Sequence, residues 1–277
     1  MRNLLSAGFA RLWRSKTLWL SCLFLAGTTV VSVWTRYSNS VRYDYHTNLD
    51  HAFVNYVLFL SILIPIVCAL FIGTEYADGT IRNKMVCGHS RGSVYLSNLT
   101  VCSAASLIMC TAAVAPGLVL GLPLLGGFNM GTTRAVLFFL AAYALSLAWT
   151  ALITLLSMLI SGKIITTSAL AMIFSLALLA AGANLEGRLE ATPTLQEFAI
   201  TVNGESIVEE YPNPAYVPEG PARDALQFLV DFTPGGQTLQ HSMQRVERSE
   251  VMIVYDAVLF VTTTAAGLVL FRRKDIK

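Results

Sequence analysis

Six long apolar stretches constrain this chain more than any other feature. They cover residues 17–34, 53–72, 99–125, 135–160, 164–183 and 251–271. A helix needs about 20 residues to cross a hydrocarbon core of roughly 30 Å, and each stretch approaches or exceeds that length. Across all six there is one charged side chain, Asp256. A surface helix of a soluble domain keeps a polar face, and these segments have none. The whole chain is 55% hydrophobic and 13% charged, against about 25% charged in ordinary globular domains. The pattern predicts six membrane spans. The first is read as retained, because it is longer than a signal-peptide core and no small-x-small cleavage site follows it.

Charge sets the expected sidedness. Residues 1–16, 73–98, 161–163 and 272–277 hold 12 Lys or Arg and 3 Asp or Glu, a net of +9. The opposite side, with Asp256 included, holds 7 basic and 14 acidic residues, a net of −7. Positive loops stay in the cytosol, so both termini are expected there. The cysteines fit this topology. Cys22, Cys68, Cys102 and Cys110 fall in spans and Cys87 in a cytosolic loop, with no spacing that reads as a disulfide framework or a paired-Cys metal site.

The segments between the spans predict the remaining elements. In "MRNLLSAGFARLWRSK", Leu5, Phe9, Leu12 and Trp13 recur at helical spacing among Arg2, Arg11, Arg14 and Lys16. That is the pattern of an interfacial helix with an apolar face in lipid and basic side chains at headgroups. Tyr37, Tyr43 and Tyr45 are expected near the outer interface, where aromatic residues concentrate. His46 and His51 have only Asp44 and Asp50 nearby as further ligands, and no metal site is assigned. Pro65, Pro116 and Pro123 kink or end their helices. "SGK" at 161–163 forces the fourth and fifth spans into an antiparallel hairpin.

Residues 184–250 form the one sizeable segment outside the membrane, with 11 acidic and 4 basic residues. Residues 198–202 and 205–211 flank Asn203-Gly204, a favoured two-residue hairpin turn. Residues 221–232 have the spacing of an amphipathic helix, which Pro234-Gly235-Gly236 is expected to end. In the 73–98 loop, Asp78-Gly79 makes a turn and Thr80 is the expected N-cap of a short helix over 81–86. A helix this short is unstable alone in water and needs something to pack against. The fold class is therefore an all-α polytopic membrane protein. It comprises an interfacial helix (1–16), five spans with a cytosolic helix in the 73–98 loop (17–183), a small α+β extracellular domain (184–250), and a sixth span with a basic tail (251–277).

Gly88-His89-Ser90-Arg91-Gly92 matches G-x-S-x-G, the nucleophile elbow of serine hydrolases. An elbow needs a strand before the serine, a helix after it and a surrounding sheet. The loop has about 26 residues. After Ser90 the only histidine is His241, across the membrane by the charge rule, and His89 is too close in sequence to act as base. These grounds weigh against a membrane serine hydrolase. An ion-coupled carrier usually places ionisable groups deep in the membrane. Asp256 alone qualifies, and it sits five residues into the last span. A carrier and a membrane anchor or sensor remain the alternatives.

Glu75-x-x-x-Gly79-Thr80-x-Arg82, directly after a second span, resembles the loop of ATP-binding-cassette exporter permeases of the second export type. The resemblance extends along the chain through the interfacial helix, six spans, an outer domain before the last span, and the "FRRKDIK" end. It implies a coupling helix that docks on a cytosolic ATPase subunit, with Glu75, Asp78, Gly79, Thr80, Arg82 and Lys84 transmitting ATPase closure. It implies two permease chains, as homodimer or heterodimer, and two ATPase subunits. It also implies a substrate route lined by the second and fifth spans, where Asn55, Ser61, Thr166, Thr167 and Ser168 are the polar candidates. The chain has no G-x-x-x-x-G-K-[ST] phosphate loop and no LSGGQ-like signature, so ATP and Mg are expected on the partner. No cofactor, metal or nucleic acid is expected on this chain. The setting implied is a cell membrane, with lipid contacts and a bacterial source. Apolar spans fit a hydrophobic or amphipathic cargo, a drug or lipid, and the acidic outer domain fits a cationic antimicrobial peptide.

Overall fold

The computed structural model describes residues 1–160, 164–200, 206–246 and 248–274. The chain is a bundle of long helices with one small hairpin. In order the elements are α1 (Arg2–Trp13), α2 (Lys16–Tyr43), a 3-10 turn (Leu49–Phe53), α3 (Tyr56–Ala77), α4 (Thr80–Val86), α5 (Arg91–Leu125) and α6 (Thr132–Leu159). Then come α7 (Ile164–Glu190), β1 (Thr194–Ile200), β2 (Ser206–Pro212), α8 (Pro221–Phe232), α9 (Pro234–Ser242) and α10 (Ser249–Arg273). Six of these helices, α2, α3, α5, α6, α7 and α10, are long and apolar enough to cross a membrane. The protein is a multi-pass, mostly helical membrane protein.

The spans are longer than their apolar cores. α2 continues past residue 34 to Tyr43, where Asp44 takes a left-handed backbone (φ 51) and stops it. α5 begins at Arg91, eight residues before the expected start, so much of the 73–98 loop is helical. Pro65 and Pro116 lie inside helices, and Pro123 lies in the last turn of α5. The side chains facing outward on the spans, such as Leu20, Leu23, Val31 and Ile165, are large and apolar, as lipid contact requires.

Two ends of the bundle can be told apart. The terminal end carries α1, α4 and the end of α10. The distal end carries the 3-10 turn, the hairpin, α8 and α9. β1 and β2 pair antiparallel, with Thr194 opposite Pro212 and Ile200 opposite Ser206. The first strand therefore starts four residues earlier than expected. The expected turn at Asn203-Gly204 and the "SGK" link lie outside the described residues.

α9 departs most from the sequence reading. Pro234-Gly235-Gly236 does end α8, but it also begins another helix. Thr233 caps it, its hydroxyl accepting from the Gly236 N–H at 3.4 Å. Proline follows at the first helical position, where its missing N–H costs nothing. The resulting helix, "PGGQTLQHS", is polar yet almost wholly buried, wedged against α3, α6, α7 and α8. Its glycines allow this. A Cβ on Gly235 would lie 2.0 Å from the Leu178 carbonyl oxygen, and one on Gly182 would lie 2.5 Å from the Gly235 carbonyl carbon.

Candidate functional site: a buried carboxylate under the short helix

Glu75 sits in the last turn of α3, at the terminal end, and is 2% exposed. A buried carboxylate is costly unless charge and hydrogen bonds compensate it. Three elements supply that compensation. Arg11 Nη1 of α1 lies 3.0 Å from Oε1. Lys84 Nζ of α4 forms an ion pair with the same oxygen. Asn98 Nδ2 of α5 donates to Oε2 at 2.8 Å. One side chain thus joins α1, the short helix α4 and the two spans α3 and α5.

Arg11 is fixed on a second side. Its Nη2 donates to the Phe71 carbonyl at 3.0 Å, and its guanidinium lies 3.7 Å from the Phe71 ring centroid, a favourable cation–π arrangement. Gly8, one turn earlier, lets α1 approach α5, since a Cβ there would meet Val101 Cγ2 at 2.8 Å. α1 is therefore packed onto the bundle, with Leu4 and Leu12 buried.

α4 begins one residue earlier than expected. Gly79 is its N-cap, at φ 66, a left-handed backbone that glycine adopts without strain. Thr80 is the first helical residue, and no side chain caps this end. Ile81 is buried and faces the bundle, while Asp78, Arg82 and Val86 are exposed. Arg82 makes no ion pair or hydrogen bond among the described residues. Lys84 turns inward to Glu75. Of the six sequence-predicted coupling residues, Glu75 and Lys84 lock the helix to the bundle, Gly79 and Thr80 turn into it, and Asp78 and Arg82 face out.

A second set of bonds closes the same end. Arg91 Nη1 donates to the Arg272 carbonyl at 3.0 Å and also to that of Lys274, placing a cation at the negative end of α10. Lys274 Nζ donates to the Met158 carbonyl at 2.7 Å and to the Tyr76 hydroxyl at 3.0 Å. Burial pushes the Lys274 ammonium down to about 8. Ser90 caps α5, its Oγ accepting from the Ser93 N–H at 3.2 Å. The serine of the G-x-S-x-G match is thus a helix cap.

The five pathway candidates do not meet. Asn55 is the left-handed N-cap of α3 at the distal end, φ 71 and exposed. It lines a cavity of about 210 Å³ with Thr28, Thr29 and Ser32. Ser61 is buried, its hydroxyl 2.9 Å from that of Thr238 on α9. Thr166, Thr167 and Ser168 lie in the first turns of α7 at the terminal end, respectively exposed, buried and half-buried. Ser175 of α7 donates to the Ser61 carbonyl at 3.1 Å, so at about 1.5 Å of rise per residue Ser61 lies roughly 10–14 Å along α7 from Thr166, Thr167 and Ser168, and Asn55 lies farther toward the distal end.

Sequence reading missed Arg11, Asn98 and Lys274 as partners of the loop. Arg11 was visible as part of a basic helix, but its target required the fold. Asn98, one residue before an apolar stretch, carried a weak signal: an amide at the edge of a span needs a partner.

A family model described as "ABC-2 family transporter protein" matches residues 4–182. The match runs from α1 through most of α7. It therefore includes Arg11, Glu75, Lys84 and Asn98, and it stops before the hairpin, α8, α9 and α10. No curated protein matches the chain. A match over more than half the length, on a chain with six span-length helices in this order, shows that the protein belongs to the ABC-2 transporter family.

Proposed function

We propose that this chain is the permease subunit of an ATP-driven exporter. A separate cytosolic ATPase binds ATP and Mg and docks on the exposed face of α4. The observation that supports this most is the buried Glu75, which ties α4 to α1, α3 and α5. A helix of seven residues cannot transmit force as an isolated loop. Clamped by Lys84 and Ile81, it moves with the bundle, and its free face offers Arg82 and Val86 one turn apart.

In this reading both termini are cytosolic, as the charge asymmetry favours. Two permease chains pair, each above one ATPase subunit, and cargo passes between them. The cargo is hydrophobic or amphipathic. The acidic distal segment favours a cationic peptide through attraction of opposite charge.

The docking test uses the full permease co-expressed with its cognate ATPase. Arg82→Glu is expected to reduce recovery of the ATPase with the permease at least about tenfold, since it reverses charge in the middle of the contact. Unchanged recovery with Arg82→Glu and Val86→Asp together would contradict docking at α4.

A further inference from the structure

The distal ends of α6 and α10 frame a cavity of about 860 Å³ that none of the roles above uses. Its apolar lining is Met130, Leu137, Phe138 and Val246. Arg134 and Glu250 also line it. Arg134 lies in the first turn of α6 and Glu250 in the first turn of α10. The two helices pack side by side and both start at this end. Among the described residues neither side chain makes an ion pair or a hydrogen bond. Arg245, the other cation at the cavity, is already paired with Glu190.

Arg134 is in an electrostatically poor place. The start of a helix is its positive end, so a cation there adds like charge to like, and no side chain caps α6. An anion in the cavity would offset both. Glu250 in turn offers a carboxylate to a cation. Arg134 and Glu250 immediately precede the apolar stretches 135–160 and 251–271, which on the span assignment is where hydrocarbon gives way to headgroup, and the apolar lining belongs to the same cavity. Anion acceptor, cation acceptor and apolar lining together match one ligand class.

We propose that this cavity binds a phospholipid of the leaflet at the distal end whose headgroup carries both a phosphate and an amine. The phosphate takes Arg134, the amine takes Glu250, and an acyl chain lies along Leu137, Phe138 and Val246. The site rests on the span assignment alone and is independent of ATPase coupling.

Native mass spectrometry of the delipidated full chain in detergent tests this, with phosphatidylethanolamine, phosphatidylglycerol, diacylglycerol and soluble glycerophosphoethanolamine added singly. One phosphatidylethanolamine is expected to be retained over the other three. Arg134→Ala is expected to weaken that retention at least about tenfold, the worth of one hydrogen bond to a charged group. Leu137→Trp, which puts a bulky ring where the acyl chain would lie, is expected to weaken it similarly. Glu250→Gln is expected to bring phosphatidylethanolamine and phosphatidylglycerol level. Leu140→Trp, on the exposed face of the same helix, is expected to leave retention unchanged. Because Arg134 is exposed, its alanine variant keeps the test valid if the tryptophan variant fails to fold. The proposal is overturned if diacylglycerol or the soluble headgroup binds as well as the intact lipid. It is equally overturned if Arg134→Ala retains the lipid like the wild type, or if Leu140→Trp loses it.

Discussion

At the scale of single residues, Glu75 concentrates the argument. A carboxylate at 2% exposure between Arg11, Lys84 and Asn98 exchanges hydration for three fixed partners. Removing its charge leaves two cations without a counter-ion, and buried charges that lose a partner are costly. Glu75→Leu is expected to lower stability by roughly 2–4 kcal/mol. That is below the cost for a fully buried pair, because Arg11 is 34% exposed and solvent screens part of its charge. Chemical unfolding in mixed micelles measures this, and a loss under about 0.5 kcal/mol would mean that the ion pairs do not hold the three helices. Ser90 carries the opposite lesson. Five residues that spell a catalytic motif form a helix start, because a serine before an apolar helix serves as a cap as readily as a nucleophile.

At the scale of elements, α9 shows what periodicity conceals. Pro-Gly-Gly after an amphipathic helix reads as a stop, and stop and start signals overlap when one helix follows another directly. The sequence "TPGG" held both, since Thr233 and Pro234 are an N-cap and first-turn pair. Burial of so polar a helix was not legible, because its partners lie far away in sequence: Ser61, Trp149, whose Nε1 donates to the Thr238 hydroxyl at 3.1 Å, and Gly182. The backbone contact with α7 makes a sharp prediction. Gly235→Ala is expected to undock α9, exposing an engineered cysteine at Thr238 to a water-soluble thiol reagent. Gly27→Ala, where a Cβ meets nothing within 4 Å, should not. Equal labelling in both variants would contradict the packing.

His241 extends the same argument to pH. It is fully buried, its Nδ1 lies 2.9 Å from the Gln237 carbonyl oxygen, and its ring sits 5.0 Å from that of Phe138. Burial pushes it down from its ordinary value to about 4. Between about 6.5 and 4 the unfolded chain binds the proton first, so stability falls as pH is lowered through that window. Thermal unfolding compared at pH 7 and pH 5 is expected to show a larger drop for the wild type than for His241→Asn. Equal drops would mean that His241 does not titrate on unfolding.

At the scale of the whole molecule, the helical membrane architecture was legible because lipid imposes apolar length directly on sequence. So was the short helix after the second span, through its turn and its apolar edge. Span ends were not, since α2, α5 and α7 extend beyond their apolar cores into polar residues that helical hydrogen bonding carries along. The cluster around Glu75 was half legible: Glu75 and Lys84 stood out in the loop, while Arg11, 64 positions before Glu75 in sequence, did not. Taken together, the terminal end is one unit in which α1, α4, the start of α5 and the end of α10 are cross-tied through Glu75 and Arg91. In the proposed function, such a unit passes a push on α4 to several spans at once.

The most direct test of that claim is ATP-driven transport by the permease–ATPase complex in liposomes, measured alongside ATP hydrolysis for wild type and Glu75→Gln. Glutamine keeps the size and one hydrogen-bond acceptor but loses the charge that holds Arg11 and Lys84. The account predicts that the complex still assembles and hydrolyses ATP, while transport per ATP falls at least about tenfold. Wild-type transport per ATP in Glu75→Gln would contradict it.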